Sequence, residues 1–364
     1  MKRYNNLYDS ITFKDFIDVY KDIRSNTKNK LKIKKFDDFY SINISRAYNL
    51  FKNKKYKPYK YNIFLIKKPK YRIIMSQNIT DKLINHVVSR KILLPILDKL
   101  LINTNVATRK NKGTSYGLNY LKKYLLELKG KKVYALKFDI SKYFYNIDHE
   151  ILFNLLKNKI KDKDALNILK TIIDSTNYDY VNQNIKKIKN KEFIRVNNLN
   201  ITLKEKDKTF NEINNIPYYK KGKGLPIGNM TSQILAIFYL NELDHYIKEK
   251  LHIKYYIRYM DDGVLFHTDK NYLKYCLNKI NEIVNKYNLE LNNKTKVINV
   301  NKEGIEFLGY KFNLKNKLII KVRSSTLKRY NHKLKLIKNG FIKEEKAILI
   351  INSYNALFKY SSYY

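Results

Sequence analysis

Cysteine is almost missing: Cys276 is the single one in 364 residues, and no Cys/His group stands at zinc-ligand spacing. That excludes a disulfide framework and a zinc ribbon, and it fits a reducing cytoplasm. Long apolar runs are absent too. A stretch such as 234–240 falls far short of the ~20 residues that cross a bilayer, and the N-terminal MKRYNNLYDS has no apolar signal core, so no membrane partner is expected. No long-period repeat is present. Acids are scarce, 32 against 74 Lys plus Arg, for a formal net charge of +42. Lysine as the default surface residue explains part of this excess, since only ten of the basic residues are Arg. Solubility does not require so much, and a compact chain with this self-repulsion is relieved by a polyanion. The 44% hydrophobic content supports a globular protein with one large core or two to three subdomains.

The stretch 255–266, YYIRYMDDGVLF, alternates bulky and β-branched residues around Met260, Asp261, Asp262 and Gly263. It reads as a β-hairpin with adjacent acids at its turn. An isolated Asp-Asp-Gly is ordinarily a solvated turn. Two acids pinned between apolar strands are different, because burying them unpaired is unfavourable unless a cation compensates.

Upstream, 1–65 holds two or three helices of no legible function, with apolar spacing at Phe13, Phe16, Ile17 and Tyr20. The segment YNIFLIKKPKYRIIMS switches to alternation, a basic hairpin from which Arg72 projects; a guanidinium can hold phosphate oxygens in a planar fork. A helical stretch over 81–101 leads to NTNVATRKNKGTSYG, with Arg109 and Gly113 ahead of an amphipathic helix over 118–128, a weak phosphate cradle. In KKVYALKFDISKYFYNID a buried strand over 133–140 carries Asp139, with Phe144 five residues on. Asp148 reads as a helix N-cap. The polar region 175–216 contains short alternating pieces such as FIRV and ITL and is taken as an excursion of the fold. GLPIGNMTSQ then opens a buried helix, where Gly224 and Gly228 permit close backbone approach, Gly228 to a base pair among other possibilities. After a helix over 272–287 come LNNKT, a short hairpin GIEFLGYKF, and a Lys-rich end that reads as a small helical bundle.

Together these segments resemble the ordered motif set of a reverse transcriptase: NIFLIKKPKYRII and NVATRKNKGT for the fingers, KFDISKYF, GLPIGNMTSQ and YMDD for the palm, then LNNKT and GIEFLGY. Seven motifs in order are far more specific than any one. The resemblance is nearest to bacterial enzymes of diversity-generating retroelements and to related unassigned or phage-defence enzymes. Retron enzymes fit less well, lacking a VTG tripeptide here, as do group II intron proteins, since no maturase or nuclease segment follows.

The resemblance implies an α+β right-hand polymerase fold: an N-terminal helical extension over 1–65, fingers over 66–130, a palm of antiparallel sheet with packed helices over 131–312, and a helical thumb over 313–364. It implies an RNA-directed DNA polymerase using two Mg²⁺ ions, or Mn²⁺, held by Asp139 and Asp261 as bridging ligands, with Asp262 beside them and the Ile140 carbonyl added. It places Arg72 and Arg109 at substrate, Phe144 under the sugar as a steric gate, and Ile227, Gly228 and Gln233 near the nascent pair, with Lys294 as a proton donor to pyrophosphate. Ile227 and Gln233 stand where many reverse transcriptases have Gln and Pro, an exchange typical of error-prone copying. Implied partners are an RNA template, a DNA or RNA primer, deoxynucleotides, a non-coding RNA and a small accessory protein. The alternatives are a template-independent or self-priming polymerase in phage defence, and a non-catalytic RNA-binding scaffold of the same fold.

Overall fold

The computed structural model describes residues 3–362. The chain divides into two compact units, each assembled from discontinuous segments. The first takes the described residues up to Leu101, then Lys142–Asn241 and Lys286–Leu289; the second takes Ile102–Ser141, Glu242–Asn285 and the described residues from Glu290 onward. Among the described residues no helix is long and apolar enough to cross a membrane.

The first unit opens with helices Phe13–Asn26, Lys30–Asp37 and Tyr40–Lys52. The first of these starts at a capping box, in which Thr12 and Asp15 satisfy each other's backbone donors, and buries Phe16, Val19, Tyr20 and Ile23. The expected basic hairpin follows, with β1 (Asn62–Ile66) and β2 (Arg72–Ser76) paired from Asn62↔Ser76 to Ile66↔Arg72. Over 175–216 the structure overturns the expectation of alternating pieces: FIRV lies inside helix Asp179–Asn197, and helix Leu203–Asn214 packs beside it. Their inner faces join Tyr61, Ile73, Met75, Tyr145 and Tyr219 in one core.

Asp81, only 2% exposed, is buried in this unit. One carboxylate oxygen accepts the Tyr59 N–H at 3.0 Å, while Oδ1 has no partner. Burial pushes its pKa up to about 6, although Tyr56 and the Tyr59 N–H pull the other way. The folded state therefore holds this proton more tightly than the unfolded chain, so stability falls as pH rises from about 4 to about 6 and is level above. Two pKa units correspond to about 3 kcal/mol. His86 opposes it, since burial lowers its pKa to about 4 and its contribution rises with pH over the same range. Comparison of Asp81→Asn with wild type cancels the histidine. The variant is expected to gain about 3 kcal/mol relative to wild type between pH 4 and pH 7 in urea unfolding; a pH-independent difference would refute the assignment.

The second unit is built on a four-stranded antiparallel sheet of order β4–β5–β3–β6, with β3 Tyr134–Phe138, β4 Tyr255–Tyr259, β5 Asp262–His267 and β6 Lys296–Asn299. Helix Thr114–Glu127 buries Leu118, Leu121 and Leu125 in a core with Ala135, Ile257, Val264 and Phe266. The GIEFLGYKF hairpin is present as β7 (Ile305–Phe307) and β8 (Tyr310–Leu314), and β9 (Leu318–Val322) extends it. That third strand lies where a helical bundle was expected; helices Ser324–Lys338 and Glu344–Phe358 follow it.

Candidate active site

Tyr259 pairs with Asp262 across the β4–β5 hairpin, leaving Met260 and Asp261 as a two-residue turn. Met260 has φ +57°, a left-handed conformation unfavourable for a side-chain-bearing residue. On the other edge of β5, Phe138 pairs with Gly263. In antiparallel register the next residue of β3, Asp139, therefore comes beside Asp262. A Cβ on Gly263 would lie 2.2 Å from Cζ of Phe138, so glycine is what lets the two acid-bearing strands close up.

The acids interact electrostatically. Burial pushes the Asp262 pKa up to about 6, Lys137 opposes that, and the neighbouring charges of Asp139 and Asp261 add to the rise. Lys137 Nζ lies 3.4 Å from Asp262 Oδ2 and donates to the Glu306 carbonyl at 2.9 Å. Asp262 Oδ1 is buried without any hydrogen-bond partner. Among the described residues no three acidic, His or Cys side chains are already gathered at metal-ligating geometry. The donor set nonetheless suits a hard divalent cation: neighbouring carboxylates, one of them held protonated more tightly by the other two and carrying an oxygen without a hydrogen-bond partner, are what such an ion relieves.

The backbone holds the end of β3 in place. The Asp139 carbonyl accepts the Asn292 N–H at 2.7 Å, and Ile140 bridges Leu291. The 292–295 turn, closed by the Thr295 N–H on the Asn292 carbonyl at 2.8 Å, exposes Lys294. Sequence reasoning missed Lys137, although it lies two residues before Asp139 on a strand and so shares its face. It also missed Arg258 and Asp244. Arg258, wholly buried, donates through Nε and Nη2 to the equally buried Asp244 at 2.7 and 2.6 Å, and through Nη1 to the Met260 carbonyl at 2.5 Å. Arg109 donates through Nη1 to the carbonyls of Ile102 and Asn105 at 2.7 and 3.0 Å, stapling its own loop.

The remaining expected residues belong to the first unit. Arg72 is exposed on β2 and close enough to Tyr145 to influence it electrostatically. Phe144 is half-buried, its ring edge-on to Tyr143 and its carbonyl accepting the Leu225 N–H at 2.7 Å. The Ile227 carbonyl accepts the Met75 N–H at 2.9 Å. Gly228, at φ +131°, would place a Cβ 2.9 Å from the Met75 carbonyl oxygen, so the close approach it permits is to β2. Gln233 is half-buried on helix Met230–Tyr239. Asp148 caps helix His149–Lys157, accepting from Glu150 and Ile151, as its position predicts.

Residues 52–312 match the family described as reverse transcriptase (RNA-dependent DNA polymerase). A putative COX1/OXI3 intron 2 protein of Saccharomyces cerevisiae is 30% identical over 204 residues, which cover 48% of this chain and 23% of that protein. The chain thus spans about a quarter of that relative, an intron protein, the class that the sequence alone set further off. Among solved structures, a telomerase from Candida albicans in complex with a fragment of telomeric RNA aligns with TM-score 0.45 at 17% identity, over 74% of this chain and 46% of that one. An apo telomerase from Candida tropicalis, truncated from its C-terminal domain, aligns with TM-score 0.45 at 15% identity, over 76% and 59%.

Proposed function

We propose that this chain, which belongs to the reverse transcriptase family, extends a primer 3′ end with deoxynucleotides along an RNA template. The observation that carries the reading is that Asp139, Asp261 and Asp262 lie at one end of the antiparallel sheet, with Asp139 and Asp261 both within electrostatic reach of Asp262. Asp139 and Asp261 would hold the cations, with Asp262 and the Ile140 carbonyl completing the set. Magnesium bound there would lower the pKa of the primer 3′-hydroxyl and neutralise the triphosphate. The chain's own groups do the rest. Arg72 grips phosphate oxygens, Lys294 delivers a proton to the departing pyrophosphate, and Phe144 excludes a 2′-hydroxyl. Arg109 is better explained as a loop staple than as a substrate contact.

Primer extension on a defined RNA, with template omitted in parallel, tests this. Template-dependent incorporation supports the reading; incorporation without template replaces it by the self-priming alternative. Three acids gathered at one sheet end of so basic a chain, one with a buried oxygen that no hydrogen bond reaches, disfavour a non-catalytic scaffold. We assign the protein to the cytoplasm, and its role to sequence diversification or phage defence with a non-coding RNA and a small accessory protein. Error-prone copying rests on Ile227, which offers no hydrogen bond to a nascent pair where glutamine would. Ile227→Gln is expected to lower misincorporation several-fold in single-round copying of a defined RNA; an unchanged error spectrum removes that role.

A further inference from the structure

Arg258 on β4 reaches none of the solvent, and its guanidinium bonds on two sides. One edge forks onto Asp244, on helix Asn241–His245, whose two oxygens also accept the Tyr256 hydroxyl at 2.7 Å and the Asn105 side-chain amide at 3.2 Å. Asp244 therefore has four donors and cannot move toward the turn. The remaining nitrogen, Nη1, holds the Met260 carbonyl. The backbone of Arg258 is fixed as well, its N–H donating to the Thr104 carbonyl at 3.0 Å and its carbonyl accepting from Val106 at 3.0 Å.

The Met260 carbonyl belongs to the peptide unit that carries the Asp261 N–H. Fixing that plane fixes the direction in which the chain enters Asp261. It also stabilises Met260 at φ +57°, a conformation that persists only where the surroundings over-determine it. We propose that Arg258 is a positioning residue for the metal-binding turn, acting through the Met260 carbonyl and made rigid by Asp244. Lysine cannot replace it, because a single ammonium cannot fork a carboxylate and reach a carbonyl on its other side. This proposal rests on the assignment of the acids as cation ligands.

The test uses the full chain with two replacements: Arg258→Lys, and the paired Arg258→Met with Asp244→Leu, which removes both buried charges and keeps an apolar volume that can fold if the lysine variant does not. Mn²⁺ binding is followed by electron paramagnetic resonance, with Asp261→Asn as the blank, and primer extension is measured on the same samples. For either folded variant we expect kcat to fall roughly thirtyfold, deoxynucleotide KM to stay within about twofold, and Mn²⁺ to bind several-fold more weakly. A folded variant with wild-type Mn²⁺ affinity and kcat would reduce the pair to a packing element and overturn the proposal, as would a wild-type signal no greater than the blank. A wild-type protein that binds Mn²⁺ yet extends nothing would remove the polymerase reading, while weaker Mn²⁺ binding in the variants would still uphold the positioning role.

Discussion

Replacing Asp261 by Asn is expected to cut primer extension roughly a thousandfold or more, a loss of about 4 kcal/mol at the transition state. The substitution keeps the shape of the turn and removes one negative charge. Met260 and Asp261 form the turn itself, and the strands on either side are held by the Tyr259↔Asp262 pair and by β3. Asp261 also adds to the repulsion at Asp262. Removing it is therefore expected to leave thermal stability equal or higher, while abolishing a charge on which the proposed divalent cation would depend. Asp139→Asn is expected to behave alike. Asp262→Asn should lose less, about ten- to a hundredfold, because Asp262 is already engaged by Lys137. Steady-state extension beside a melting curve separates the cases. A folded Asp261→Asn protein retaining a tenth of wild-type turnover would mean that the acids are not the reaction centre.

What the sequence made legible follows from how local each signal is. The β4–β5 hairpin was readable because strand alternation, a two-residue turn and the acids all fall within twelve residues, and the Asp148 cap for the same reason. Helix Asp179–Asn197 was not. Its buried positions, Val181, Ile185, Lys189, Glu192 and Val196, do recur at helical spacing, but two of them are charged. Those charges are satisfied largely from a distance in sequence, Lys189 by the carbonyls of Asn214 and Ile216, Glu192 by Lys67 and Tyr71 as well as by Arg195 one turn on. The apolar stripe that marks a helix is thereby interrupted, and FIRV stood out as alternation. Strand β9 was hidden by its Lys-rich flanks, since only its pairing with β8 distinguishes it from the helices that follow. Within the site, Asp139 was legible only as a lone acid at a strand end. Its partnership with Asp262 is a matter of register, which depends on Phe138 meeting Gly263. Arg258 in an otherwise apolar strand signals a buried partner, but nothing local points to Asp244.

That register leads to the second large effect, expected at a residue with no chemistry of its own. Gly263→Ala would put a methyl group 2.2 Å from Cζ and 2.4 Å from Cε1 of Phe138. The ring is fully buried, so either it leaves its rotamer or β3 and β5 separate. Overpacking of this kind destabilises by about 3 kcal/mol. The displaced residue immediately precedes Asp139, so the strain is delivered to the acid itself, and a shift of about 1 Å there is enough for roughly a hundredfold in turnover. Both losses share one cause, which separates this variant from Asp261→Asn, where activity falls and stability does not. The urea midpoint and kcat should recover together when Phe138→Leu is added to Gly263→Ala, since the shorter side chain vacates the space the methyl needs. Recovery of the midpoint alone, with kcat still low, would show that the glycine serves the reaction by some route other than spacing β3 from β5.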